Sequence, residues 1–281
     1  MELIILRAAI VLIASAIGAY TDFRTGEIFD YVTYPLIGIG ILLNAFELFL
    51  GNFAAWQYFA LGAAVFAFGY IAYFAGKIGG GDIKLFVGIA LVLPFFGESF
   101  FPLNVFLINA LFAAAILAVV CVGIYYLAKY AKKGISVEYN RQGIIRAALL
   151  AILFGFYFYF ALQFNAINLL AVEALAFPVA IAILFIAFEK GIKKEFFLKK
   201  VKLSELEEDE VIAFEFLEEK EKKELELKFK GVLGEKEKEK LKKAGIKEML
   251  VYRALPRFGP FVFFGIAIVL LRPELIQLLF G

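Results

Sequence analysis

The chain has 281 residues, 63% of them hydrophobic, with a mean hydropathy of +0.84 and a formal net charge of +2. About half of a soluble domain is apolar, so this excess excludes an ordinary soluble globular protein and points to several membrane spans. There is no histidine and a single cysteine, Cys121, inside an apolar run, which excludes Ser-His-Asp and Cys-His dyads, Cys/His zinc sites and disulfides, and leaves acid–base work to Asp, Glu, Lys or Tyr.

The first apolar run, 3–21, lacks a basic leading segment and an A-x-A site, and more spans follow, so it reads as a retained helix rather than a signal peptide. With about 20 residues needed per span, further spans are expected near 32–50, 57–76, 82–97, 103–128, 144–163, 166–188 and 259–280. The fourth is short, and the eighth carries Arg272-Pro273-Glu274 near its far end. The expected fold class is an all-α polytopic membrane protein: a bundle of six to eight transmembrane helices with a small cytoplasmic α/β insert before the last. Three regions follow: a transmembrane core over 1–188, a charged insert over 189–257 and a C-terminal helix over 258–281.

With eight spans, one side receives the loops holding Arg24, Lys77, Lys84, Lys129, Lys132, Lys133, Arg141 and Arg146, while the loops near 51–56, 98–102 and 164–165 hold no Lys or Arg. The positive-inside rule makes the basic side cytoplasmic. Glu47 and Asn44, toward the other face, read as interfacial residues or polar glue between helices. The 189–257 stretch holds 19 Lys/Arg and 17 Asp/Glu and is expected outside the bilayer. EVIAFEF and KEMLVYRAL read as strands and EKEKEKLKKAGI as an amphipathic helix, the alternative being a solvated tether.

Two carboxylates stand out. Asp22 closes the first helix in YTDFRTGEI, and Asp82 opens the fourth after Gly79-Gly80-Gly81. Both fall on the basic face. Alone, Asp22 equally suits an interfacial acid beside Arg24, and the glycine run equally suits a turn with an N-cap Asp. Side by side, two carboxylates cannot both ionise, so one can accept a proton from water while the other polarises a carbonyl and protonates a leaving amine. Glycines at 79–81 let a second backbone come close. Lys84 is expected to reach headgroup phosphates. Glu27 and Asp30, in the same loop as Asp22, would either attract a basic partner or form a solvated loop.

At these residues the chain resembles the GxGD membrane aspartyl proteases, most closely archaeal preflagellin and prepilin peptidases related to bacterial type IV prepilin peptidases. The resemblance rests on YTDFRTGEIFDYVTYPLI, on GGGDIKLF (a GxGD-x-K match) and on KKAGIKEMLVYRALPRFGPFVFFG. It implies that Asp22 and Asp82 are the catalytic pair, supported by Gly79, Gly81 and Lys84, with no cofactor and no metal. It also implies that an archaellin or pilin-like precursor is cut at its basic leader, at the cytoplasmic face of the cell membrane. The partners would be that precursor and the lipid bilayer, with no nucleic acid. Ile28-Phe29-Asp30 stands where bacterial relatives have Ile-Pro-Asn, and their cysteine cluster is missing, so no methyltransferase activity is expected. An ion- or proton-coupled transporter, with both acids on its pathway, and a non-catalytic membrane scaffold are the competing readings.

Overall fold

The computed structural model describes residues 2–75, 78–96, 104–202, 211–216, 248–253 and 255–274. Among them are eight α-helices: α1 Glu2–Thr25, α2 Asp30–Phe49, α3 Trp56–Phe74, α4 Gly80–Val92, α5 Phe106–Lys133, α6 Arg141–Gln163, α7 Leu169–Ile192 and α8 Gly259–Leu271. All but α4 and α8 are long and apolar enough to cross a membrane, and the chain is an all-α polytopic membrane protein. Helices α3 and α6 turn large apolar side chains such as Phe68, Ile71, Leu149 and Phe156 outward, which is the arrangement expected where the surrounding solvent is hydrocarbon.

Helix α4 is the most enclosed element. Every residue from Leu85 to Val92 is buried, between α2 and α3 on one side and α1 on the other. Helices α1, α8 and α5 form a second packed row, which α5 extends to α7, and α6 lies against α7. Pro94 ends α4 earlier than the expected 82–97 span: the helix stops at Val92, since the residue before a proline is pushed out of the α region. Phe95 then bridges to Val105 in an antiparallel pair that leads into α5. Of the expected 259–280 span, α8 takes Gly259–Leu271 and breaks at Arg272-Pro273, and 275–280 lie outside the described residues.

A helix of 13 residues is about 20 Å long, against a hydrocarbon core of about 30 Å. Its last carbonyls, at the buried Leu91 and Val92, are left without helical donors and need partners. Arg7 and Asn44 provide them. The Arg7 guanidinium donates to the Val92 carbonyl at 2.7 Å, to Asn44 Oδ1 at 2.9 Å and to Glu47 Oε1 at 2.9 Å. Asn44 Nδ2 donates to the Leu91 carbonyl at 3.0 Å, and Asn52 Nδ2 donates to Glu47 Oε2 at 2.9 Å. A cation at the carbonyl end of a helix is also favoured by the helix dipole. The role expected for Glu47 and Asn44 as polar glue is realised here, with Arg7 as the group that joins them.

Beyond α7, a π turn over Lys193–Phe197 leads into a three-stranded antiparallel sheet of β1 Leu198–Lys202, β2 Val211–Ile212 and β3 Glu248–Tyr252, in the order β1-β3-β2. The register pairs Val201 with Met249 and Ile212 with Val251, and all four side chains are buried. Of the strand expected over EVIAFEF, the described part is Val211–Ile212, and a 3₁₀ turn at Phe214–Phe216 ends it. The strand expected in KEMLVYRAL is β3. The amphipathic helix expected in EKEKEKLKKAGI lies outside the described residues.

Candidate functional site

Asp22 lies in the last turn of α1 and is 8% exposed. The helix ends three residues later, and Gly26, at φ +87°, donates its N–H to the Asp22 carbonyl at 2.8 Å. A left-handed glycine closing a helix in this way costs little because it has no Cβ. The turn sends Glu27 and Ile28 back over the start of α4.

The glycine run does two jobs there. Gly79 is the N-cap of α4, which makes Asp82 the third helical residue. From that position the carboxylate reaches back to the Gly79 backbone N–H, the reciprocal half of a capping box. Gly81 meets the α1–α2 loop: a Cβ on it would lie 2.7 Å from the Ile28 carbonyl oxygen. Any side chain at 81 would therefore push α4, and Asp82 with it, away from the turn that holds Asp22.

The partner of Asp22 is 237 residues away. Gly259 N–H donates to Asp22 Oδ2 at 2.7 Å. Gly259 is the first residue of α8, so this N–H is one of the donors a helix leaves without an internal partner. A Cβ on Gly259 would sit 2.8 Å from Asp22 Oδ2 and 2.9 Å from Asp22 Cβ. Both aspartates thus rest at helix N-termini, Asp22 at α8 and Asp82 at α4, where backbone N–H groups and helix dipoles favour negative charge.

The two carboxylates line one cavity of about 690 Å³, and Asp22 lies within electrostatic reach of Asp82. The α1–α2 turn contributes Gly26, Glu27 and Ile28, the start of α4 contributes Gly79 to Lys84, and α3 contributes Phe66, Tyr70 and Tyr73. The cavity is therefore acidic on one wall and aromatic on the other. Its chemistry suits a chain with a positive charge near an apolar segment, held across two acids that can share a proton.

The residues expected at the site divide. Asp22, Asp82, Gly79, Gly81, Glu27 and Lys84 all line the cavity, whereas Asp30 does not. Asp30 instead pairs with Lys84, Oδ1 to Nζ at 2.5 Å, and Lys84 lies over the Tyr34 ring at 4.8 Å. Lys84 therefore ties α4 to α2 rather than extending only toward headgroups. The α3 aromatics and Gly259 were missed. Phe66, Tyr70 and Tyr73 follow the i, i+4, i+7 spacing of one helix face, a signal shared by any lipid-facing stripe. Nothing local marks Gly259.

Residues 9–131, which hold both aspartates, match the type IV leader peptidase family. A stretch of 94 residues, 32% of the chain, is 34% identical to a protein named prepilin peptidase EppA from Methanothermobacter thermautotrophicus. The matched stretch spans about a quarter of that relative, 24% of its length. No solved structure matches the chain. The resemblance read from the two aspartate motifs is thus to the type IV leader peptidase family, with an archaeal prepilin peptidase among its similar proteins.

Proposed function

We propose that the protein is a membrane-embedded aspartyl endopeptidase that removes the basic leader of archaellin or type IV pilin-like precursors. The observation that carries this reading is the meeting of Asp22 and Asp82 on one cavity, from opposite ends of the resemblance: the end of α1 and the start of α4. In the proposed reaction the ionised carboxylate takes a proton from water as it attacks the scissile carbonyl. The protonated carboxylate donates to the carbonyl oxygen and then to the leaving amine. Each acid is held by a backbone donor, Gly259 N–H for Asp22 and Gly79 N–H for Asp82, so the pair is fixed before substrate arrives. Glu27 offers the charge that would meet a basic leader, and the α3 aromatics the surface for the apolar segment that follows it.

The ends of α1, α5 and α7 that carry Arg24, Lys132, Lys133 and Lys190 lie on the same side as the start of α4. The connections on the other side, over 50–55 and 164–168, have no Lys or Arg. That asymmetry supports a cytoplasmic position for the cavity. Transporters place coupling acids near the bilayer midplane, so two acids at one end of the bundle weigh against the transport reading.

The test is processing of a purified preflagellin-type precursor by detergent-solubilised protein beside Asp22→Asn and Asp82→Asn. Cleavage ahead of the apolar segment, lost in both variants with helicity unchanged, is the expected result. Cleavage persisting in either variant would remove that aspartate from the mechanism.

A further inference from the structure

The sheet beyond α7 and the first aspartate are joined by a short strap, the chain from the end of β3 at Tyr252 to Gly259. The sheet end of the strap is fixed. Arg253 donates its N–H to the Phe197 carbonyl at 2.9 Å. Phe197 is buried, and its ring meets that of Tyr126 on α5 at 4.7 Å between centroids. Tyr252 packs in the same cluster, with Tyr130 of α5 and Ile192 of α7. Its hydroxyl donates to the Glu215 carboxylate, which also accepts from Lys193 Nζ at 3.0 Å. The other end is fixed against α1. The Arg257 guanidinium packs on Gly26 and leaves no room for a Cβ there, Phe258 packs on the core around α4, and Gly259 N–H donates to Asp22 Oδ2 at 2.7 Å. Only positions 254–256 separate Arg253 from Arg257. Pro256 fixes its own φ and disfavours the α region at Leu255.

We infer that the sheet is a positioning element of the aspartate site. The anchorage of β3 on α5 and α7 sets, through this strap, where α8 begins, and so where the Gly259 N–H holds Asp22. A long loop would absorb a displacement at one end, whereas a strap this short, stiffened by a proline, passes it to the other. The strap and the sheet lie outside residues 9–131, so the placement of one of the two acids depends on chain beyond the family match. A shift of β3 is therefore a route by which the charged insert can move Asp22. The effect on Asp22 is independent of the peptidase reading, and the effect on cleavage rests on it.

The experiment lengthens the strap by inserting Gly-Gly after Leu255, which adds up to about 7 Å of chain. The control is the same insertion after Gly134, in the exposed α5–α6 connection. Protein labelled with [15N]glycine, in detergent, gives an amide signal for Gly259, identified by its loss in Gly259→Ala. Asp22→Ala gives the position of that signal without the hydrogen bond. The lengthened strap is expected to move the Gly259 signal to the Asp22→Ala position, while the control leaves it at the wild-type one. The Gly265 signal, identified through Gly265→Ala, reports that α8 is intact. On a preflagellin-type precursor the lengthened strap should lower kcat by about a hundredfold with KM within about twofold of wild type. Pro256→Gly adds freedom at unchanged length, should shift the Gly259 signal in the same direction, and takes the place of the insertion if that variant does not fold. An unmoved Gly259 signal in the lengthened strap, or in Pro256→Gly where it stands in, overturns the inference, as does an equal shift in the control. A wild type that cleaves nothing while the Gly259 signal moves as expected refutes the peptidase reading and leaves the positioning role standing.

Discussion

Replacing Gly259 with alanine tests the link between the last helix and the first aspartate. The added Cβ would sit 2.8 Å from Asp22 Oδ2 and 2.9 Å from Asp22 Cβ, where non-bonded carbons settle at about 3.5–4.0 Å. One side must retreat by roughly 0.6–1 Å, and either movement lengthens the 2.7 Å bond from Gly259 N–H to Asp22. Overpacking of this kind costs about 1–3 kcal/mol, and a misplacement near 1 Å at a reacting group costs about a hundredfold in rate. Gly265→Ala is the matched control. Its Cβ would lie 2.2 Å from the Ala110 carbonyl oxygen, so it strains α8 against α5 without touching Asp22. Cleavage and thermal unfolding are measured on both. Both variants should unfold at lower temperature, and only Gly259→Ala should lose activity out of proportion to its stability. If Gly259→Ala cleaves within about threefold of wild type, a difference under 1 kcal/mol, Gly259 does not position Asp22.

Further outcomes follow from the same geometry. Glu47→Leu should destabilise by about 3–5 kcal/mol, because it strands the Arg7 charge inside the bundle, while the double change with Arg7→Met should recover part of that loss; thermal unfolding in detergent reads both. Gly81→Ala should depress cleavage more than Gly80→Ala, since a Cβ at 81 meets backbone at 2.7 Å and one at 80 meets only the Tyr73 ring at 3.8 Å. Burial pushes the Glu215 carboxyl up, but the Tyr252 hydroxyl and the Lys193 ammonium beside it outweigh burial and hold it below its ordinary range. A lowered folded-state value contributes stability above the unfolded value, near 4.3, that is lost as pH falls through the folded one. Wild type should therefore be more stable than Glu215→Gln at pH 6, by less than about 1 kcal/mol for so exposed a pair, and the two should converge as the pH falls below the folded-state value.

How much of this was legible in the sequence depends on how local each signal is. Hydropathy located each of the eight described α-helices, and the glycines before Asp82 marked a helix start that α4 confirms. The end of α4 was misplaced because a hydropathy window does not register that Pro94 stops it or that Arg7 and Asn44 donate to its last carbonyls. Arg7, Asn44 and Glu47 are spread over about forty residues with no spacing to link them. Strand β1 was missed for a different reason: in LKKVK only Val201 is buried, so the alternation that identifies a strand is absent. What makes it a strand is pairing with β3, which is about fifty residues further on.

The site shows the same division. The two aspartates and the glycines between them are readable because each shapes its own helix end, and such constraints leave a local pattern. The groups that hold them are not readable in this way. Gly259 acts on Asp22 through a backbone N–H, which every residue but proline has, and through a missing Cβ, which any glycine lacks. Its contribution exists only once α8 is laid against α1. The segment from Arg257 to Gly259 therefore does more than lead into a last helix: Arg257 covers Gly26, Gly259 hydrogen-bonds Asp22, and the turn carrying the first aspartate is held from both sides. A chain cut before this segment would keep both aspartates and all of residues 9–131, yet it would lose the donor that fixes one of the two acids.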